Sequence, residues 1–553
     1  MMMWGWMLWV GCGGAAGDGS TKPGGDTGTK LGVETPEDSG AQDTESRVTI
    51  DTSVADTGDP DTSGADTGLV DTAGDSCGPD AALEVLSLQI GPGPAGRVGE
   101  RLVELELSTD AEAALVCVSD VDPSEAHLIE SSVARSHSFR LQGLLADTSY
   151  TCAATPTCPV VATDPVPFAI DVGPLPSGVP ELSVQVFQGS TPHGYLLAPY
   201  QGRGGCGMDR DIYLFDLDGH LRWWTEVDAG LLDFEVLPSG QDELLWGGGE
   251  TRTEPQRIHL WDGVVWQADL PRQENFHHDA KFLEDGRLGT LEDRRNTSGG
   301  DDWDGFGIRV SDPATNLVEW EYNSQTAYLA GELGQPAGWD NDPYHANWFD
   351  MRTTAEGETM FVSLCYDWKI LAIDMASQAV RWTIGQGGDM SVVDATGSPL
   401  GDAGNPHCQH GLEVNADGTR MLVYDNGQQQ GRSRAMEYEI DATAHTATLL
   451  WEWSEPGWYD STLGDVDWLD DGMVLVTEAH ADCWEFESDI RRSKAVAIDP
   501  ATGVKQWEAV FGDRNDAVYR SEVVDGCQLL ASTRHCPTLA ARLDTLRTRI
   551  NLP

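Results

Sequence analysis

Basic residues are scarce in this chain: 34 Lys and Arg stand against 91 Asp and Glu, a formal net charge of −57 over 553 residues. A field of that sign repels phosphate backbones and anionic lipid surfaces, so no nucleic acid is expected as a partner. Long apolar runs are also missing. None reaches 18 consecutive residues, so no transmembrane helix is expected. No two cysteines have the CxxC spacing of a zinc ribbon or finger. Eleven cysteines, ten of them scattered beyond Cys12, suit disulfides in an oxidising compartment instead.

The first residues, MMMWGWMLWVGC, form an apolar run too short to span a bilayer. Residues 1–12 resemble a bacterial lipoprotein signal, in which Cys12 is lipidated and becomes the new N-terminus. Trp9 departs from the usual Leu or Val, and no Lys or Arg precedes the run, so a plain signal peptide or a misassigned start stays open. The expectation is an exported protein of the periplasm or cell surface, meeting a membrane only through a lipid anchor.

Residues 13–76 are rich in Gly, Asp, Thr and Ser, and from Asp51 an Asp-Thr pair recurs every five residues. Such a segment buries too little apolar surface to order itself, and it reads as a disordered, self-repelling acidic tether. Calcium binding is the weaker reading, because no Gly-rich nonapeptide repeat is present. Residues 77–176 change to alternating segments such as RLVELELS and HSFRLQGL, the pattern of a small β-sandwich. Within it, LQGLLADTSYTCAA resembles the corner of fibronectin type III domains, where a Tyr hydroxyl folds back on a neighbouring loop. Cys117, Cys152 and Cys158 are candidates for holding this domain, for which a scaffold or positioning role is expected.

Over 180–553 a longer unit recurs, each copy closing with a turn and then a Trp on a strand: DLDGHLRWW, LWDGVVWQA, DPATNLVEW, DMASQAVRW, DATAHTATLLW and DPATGVKQW. These place Trp223, Trp266, Trp320, Trp382, Trp451 and Trp507 at intervals of 43 to 69 residues. Six such copies predict an all-β architecture, a six-bladed β-propeller of four-stranded blades. The tryptophans read most simply as core residues between blades, each worth about 3–5 kcal/mol on truncation to Ala.

The innermost strand of a copy runs from near the axis to a turn glycine, as in HHDAKFLEDG (277–286), QHGLEVNADG (409–418) and GDVDWLDDG (464–472). His278 and His410 each precede their glycine by eight residues, and HANWFDMRTTAEG starts at His345 with four extra. His278, His345 and His410 thus take equivalent places in consecutive blades and are expected to converge on one mouth of the channel. Convergent imidazoles suit nucleophilic and acid–base work, or a metal. A lone histidine would more often be structural; three at one register are the stronger signal. His407 and His410 form HxxH, but on a segment entering a strand the two rings do not share a face, so His407 reads as a rim residue.

These motifs, with DPYHANWFD, FVSLCYDWKILAIDMASQAVRWTIGQGG, TRMLVYDNG, SRAMEYEID and LLWEW, resemble the bacterial arylsulfotransferase family over roughly residues 200 to 510. The resemblance implies a six-bladed propeller, often with a small β-sandwich before it, that moves a sulfuryl group from a phenolic sulfate ester to another phenol without a nucleotide donor. It implies His410 as the nucleophile that transiently carries the sulfuryl group, and His345 as the group assisting the departing phenolate. His278 would contact sulfuryl oxygens or the phenol, and Asn347 would orient its neighbour. No cofactor and no metal are implied; the partners are a small-molecule aryl sulfate and a phenol.

Two departures stand out. Cys365 occupies the place of a charge-stabilising Arg, whose loss typically costs about 10²–10³ in rate; Gly411 replaces an Asp that could orient a histidine. Arg294, Arg295 and Arg434 are candidate substitute cations, and His480 is a candidate for lining the same mouth. Each also reads as a solvated surface residue. Cys365 is a candidate disulfide partner of Cys408, if their strands approach, and would then be structural. The rival readings are a non-catalytic propeller that binds a ligand at its rim, and a metal enzyme built on the histidine cluster.

Overall fold

The computed structural model describes residues 50–51, 84–157, 166–187, 192–203, 211–226, 231–236, 243–248, 255–268, 275–296, 303–334, 342, 344–479, 492–512, 516–527 and 529–549. The lipoprotein-like signal with Cys12, His480 and the side chain of Arg295 lie outside the described residues. Strand dominates, as the sequence predicts, and the protein is all-β apart from short helices.

The N-terminal strands Val85–Pro92, Arg101–Ser119, Ala126–Leu141, Ser149–Pro156 and Val166–Asp171 hydrogen-bond into one antiparallel sheet. Its longest strand, Arg101–Ser119, pairs with Ala126–Leu141 along both halves, with register shifts around Ala111, while its other edge pairs first with Val85–Pro92 and then with Ser149–Pro156. Leu88, Val103 and Leu105 from one half, with Leu115, Cys117 and Ile170 from the other, fill a single core. Cys117 and Cys152, directly opposite each other, are disulfide-bonded. The Tyr150 hydroxyl accepts a hydrogen bond from the Leu145 N–H at 2.9 Å, which folds it back on the preceding loop.

Among the described residues, six further sheets follow in chain order. The first holds Tyr195–Arg203, Asp211–Asp216 and Leu221–Glu226; the second runs from Leu231–Val236 to Gly263–Gln267. The third begins at Asn275–Phe282, the fourth at Ala346–Thr354, the fifth at Gln409–Val414 and the sixth at Asp465–Trp468, and each of these four is followed by three antiparallel strands. First strands of consecutive sheets lie side by side, 275–282 against 346–354, then 409–414, then 465–468.

Middle strands are apolar on both faces because a sheet packs on either side of them. Along Gly357–Leu364 the alternate residues Met360, Val362 and Leu364 enter the core shared with the third sheet, whereas Phe361 enters the one shared with the fifth. Val474 and Val476 likewise face the fifth sheet, and Leu475 faces the first. Each such side chain contributes about 1.5–3 kcal/mol on burial. The sixth sheet therefore shares a core with the first. Trp223 donates its indole N–H to Leu260 O (2.9 Å), Trp320 to Met375 O (2.8 Å) and Trp507 to Leu217 O (3.1 Å), each reaching a different sheet.

Both ends of this region tie across that junction. Leu182–Val186 extends the sixth sheet, while Asp516–Val518 and Glu522–Val524 pair with Tyr195–Arg203 of the first. Beyond the Cys527–Cys536 disulfide, the helix Pro537–Arg549 returns to the N-terminal sheet, where Leu543 and Leu546 pack against Val116 and Leu128. Where the N-terminal sheet meets the first sheet, Arg222 is fully buried and reaches both Glu125 carboxylate oxygens at 2.7 and 2.8 Å.

Candidate active site

The histidines sit where three neighbouring first strands break register. The shifts fall between Phe276 and Ala280, between Ala346 and Trp348, and between Gln409 and Leu412, and so bracket His278, Asn347 and His410. A bulge re-aims the side chains it carries. His278 and His345 also hold the left-handed backbone (φ 58° and 48°), a conformation costing roughly 1–3 kcal/mol where surrounding structure imposes it.

The result is a tight cluster. His278 Nε2 lies 3.2 Å from His345 Nε2, and His278 Nδ1 lies 3.2 Å from the Tyr519 hydroxyl. The Tyr519 ring sits 6.2 Å from His278 and 6.3 Å from His410, centroid to centroid, and joins them. His345 Nδ1 is 2.6 Å from Asp342 Oδ2 and the ring stacks on Tyr366. His277 packs edge-on against both His278 and His345.

His410 has its tautomer set by a neighbour. Asn426 donates its amide hydrogens to Asp460 O (3.0 Å) and Leu463 O (2.8 Å), so its Oδ1 is the atom that faces His410 Nδ1 at 2.6 Å. His410 therefore carries its proton on Nδ1 and leaves a lone pair on Nε2. Burial lowers its pKa to about 3, with help from His345 and Arg520. His278 is held well below the ordinary range by burial and by its histidine and arginine neighbours. Burial works against ionisation of Asp342, yet His345 and His277 hold its carboxyl below its usual value. The cluster is thus a set of buried imidazoles flanked by one anionic acceptor.

Of the two sequence departures, each has a structural account. Cys365 is disulfide-bonded to Cys408, which precedes His410 by two residues, so it is neither a cation nor a free thiol. At Gly411 a Cβ would lie 2.1 Å from Asp465 Oδ1, so no side chain fits, and the orienting role on His410 falls to Asn426. The remaining candidates divide. Asn347 is fully buried, donating to Gln409 O (2.8 Å) and so bridging the fourth and fifth sheets. Arg434 binds Asp425, Glu452 and the carbonyls of Ala403 and Asn405, all within the fifth sheet and its preceding loop. Arg294 pairs with Glu292 and Glu321 within the third sheet.

His277, Asp342, Asn426, Tyr519 and Arg520 are the residues that sequence reasoning missed. Asp342 precedes His345 by three, a spacing that could have suggested it, and Asn426 lies in the YDNG turn. Arg520, 4% exposed, donates to Asn347 O at 2.9 Å, lies 3.8 Å from Asp279 Oδ1 and stacks over the Tyr519 ring at 5.0 Å. Nothing local marks Tyr519 and Arg520, which follow the last tryptophan-ended repeat.

A repeated-sheet protein with a buried histidine cluster at the heads of its first strands is the class that fold and site define. The chain belongs to the arylsulfotransferase family: the family described as Arylsulfotransferase (ASST) matches residues 206–520, a transferase family acting on small-molecule aryl sulfates and phenols. No curated protein matches the chain. Among solved structures it is similar to a hypothetical selenium-binding protein from Sulfolobus tokodaii (11% identity, 75% of this chain and 93% of that one, TM-score 0.38). It is also similar to hydrazine synthase from Kuenenia stuttgartiensis (13% identity, TM-score 0.31), covering 50% of this chain and 64% of that one. A luciferin-regenerating enzyme is a third (11% identity, 61% and 97%, TM-score 0.33).

Proposed function

We propose that this protein transfers a sulfuryl group from a phenolic sulfate ester to a phenolic acceptor through a sulfo-histidine at His410, without a nucleotide donor. The observation that carries the reading is the Asn426 amide, which fixes the His410 proton on Nδ1 and leaves Nε2 unprotonated. In the first half-reaction the Nε2 lone pair forms an N–S bond as the S–O bond to the donor phenol breaks. The phenolate leaves with the electron pair and takes a proton from Nε2 of His345, which enters the step as an imidazolium with its Nδ1–H held by Asp342. In the second, the acceptor phenol gives its proton to His345 and attacks sulfur, which frees His410. His278 and Asn347 flank the transferred group.

The same proposal takes the six sheets as blades of a propeller, supported by the core that the sixth shares with the first. It takes residues 77–176 as a fibronectin type III-like domain, supported by the Tyr150 hydrogen bond to the Leu145 loop. It also places the protein outside the cytoplasm, lipid-anchored at Cys12, a reading supported by the disulfides Cys117–Cys152, Cys365–Cys408 and Cys527–Cys536.

The test is release of 4-nitrophenol from 4-nitrophenyl sulfate with phenol as acceptor. Acceptor-dependent release that disappears in His410→Ala is the expected result; no release from folded wild type with any aryl sulfate moves the reading to a ligand-binding propeller. A second reading has its own observation: ligand atoms of His277, His278 and His345 lie within 4.8 Å of one another, a set that zinc or iron could use. Stoichiometric metal in the purified protein, with activity lost on chelation, would favour it.

A further inference from the structure

We infer that Arg520 is the specificity-determining charge of this site, the fixed cation that selects an anionic sulfate ester over a neutral ester of the same shape. The inference rests on the reading of the cluster as a site for aryl sulfates. A sulfate monoester keeps one negative charge, and burying a charge without compensation is costly. This chain is poor in cations, and the groups framing the histidines offer little help: His278 and His410 are buried as neutral rings, Asp342 is anionic, and Asp279 adjoins His278.

The described cations nearby are used in other ways. Lys281 pairs with Asp279 at 3.2 Å and lies over the Trp348 ring, Arg352 pairs with Asp350, and Arg434 and Arg294 serve their own sheets. Arg520 differs in what it touches. Like Lys281 it lies beside Asp279, 3.8 Å from Oδ1, but its guanidinium also donates to the backbone of Asn347 and stacks on Tyr519, whose hydroxyl meets His278. It therefore joins the third and fourth sheets at the level of the histidines, carried on a segment pinned to the first sheet on both sides, by Asp516–Val518 and Glu522–Val524.

The placement has a chemical logic. A guanidinium stays charged at any working pH, acts strongly where water is excluded, and discourages protonation of the imidazole nearby. One residue thus favours the anionic donor and keeps the His410 lone pair available. The cation expected at Cys365, just past the second strand of the fourth sheet, is supplied from the far end of the repeat region.

The test compares binding of phenyl sulfate with its neutral isostere phenyl methanesulfonate, by calorimetry on the whole protein. Wild type is expected to prefer the anion by about 10- to 100-fold, the range for a hydrogen bond to a charged group. Arg520→Gln, which keeps a donor for Asn347 O, is expected to bring the ratio within about threefold and to raise KM for 4-nitrophenyl sulfate, leaving KM for phenol unchanged. Arg520→Lys, which keeps the charge, is expected to retain most of the preference. A wild type that does not discriminate, a measurement independent of any variant's folding, overturns the inference; so does a folded Arg520→Gln that still prefers the anion. Arg520-dependent anion preference without sulfuryl transfer would sink the proposed reaction and leave this assignment standing. Transfer with unchanged KM in Arg520→Gln would do the reverse.

Discussion

Two buried polar clusters in this molecule share a composition and differ in how their charges are settled. At the contact between the N-terminal sheet and the first sheet, Glu125, His127, Asp216 and Arg222 are all fully buried. There Arg222 holds both oxygens of Glu125, donates to Gly143 O and lies 3.4 Å from Asp216. Burial opposes the charge on Glu125, but His127 and Arg222 more than offset it and keep the carboxyl far below its usual value. In the histidine cluster, by contrast, imidazoles face imidazoles, two of them on strained backbone, and burial leaves His278 and His410 uncharged. A cluster that satisfies its own charges serves the fold; one that gathers neutral bases beside a cation is prepared for a charged visitor.

Substitution should separate the two. His410→Ala is expected to lower acceptor-dependent 4-nitrophenol release by about a thousandfold or more while shifting the thermal midpoint little. Arg222→Met should do the opposite. Stranding Glu125 is expected to cost about 3–5 kcal/mol in urea unfolding, with KM for aryl sulfate unchanged in the protein that remains folded. Equal effects of both substitutions on activity would erase the distinction drawn here.

The disulfide beside His410 is expected to belong with the structural cluster. Replacing Cys365 and Cys408 together by Ala opens a link with a sequence separation of 43 and should cost about 2–4 kcal/mol of stability, with transfer activity retained below the new midpoint. Loss of activity from a fully folded double variant would mean that Cys365 has a chemical role. Asn426→Ala removes the group that sets the His410 tautomer. Rates should fall about 10- to 100-fold, the equivalent of one buried hydrogen bond, without a matching rise in KM.

The smallest effect is in pH dependence, and its sign differs between the clusters. His278 and His410 have folded pKa values below the ordinary histidine value, so above about pH 6.5 they are neutral in both states and contribute nothing. As pH falls from there towards 3, the unfolded chain takes up protons that the folded chain refuses, and stability declines. Glu125, with its folded value depressed, instead contributes stability above about pH 4.5 that is lost as pH drops further. His410→Gln should flatten the slope between pH 6.5 and 4.5; an unchanged slope would mean that His410 is not buried as a neutral ring. Transfer activity itself should not lose its nucleophile between pH 7 and 5, since His410 titrates near 3.

Much of this was legible in the sequence. Six tryptophan-ended copies correspond to six sheets because a strand's position within its sheet is written in local alternation and turn residues, and the copies repeat that text. His278, His345 and His410 could be picked out for the same reason: equal register in neighbouring repeats puts side chains at equal heights. Arg434 shows where such reasoning stops. Its motif resembles one of a known family, but its guanidinium turns to Asp425 and Glu452, a choice made by packing within the fifth sheet.

What the sequence by itself determined is the all-β repeat, the histidine register and the family, since each is carried by residues close together in the chain. What only the tertiary structure decided is how the site is wired: Cys365 to Cys408, Asn426 to His410, Asp342 to His345, and Tyr519 with Arg520 beside His278. Those partners are brought together by the pairing of sheets and by the bridging of both ends of the repeat region across the first and sixth. Arg520 lies 242 positions after His278 in the chain, and no local pattern can encode a contact that exists only once the sheets have packed.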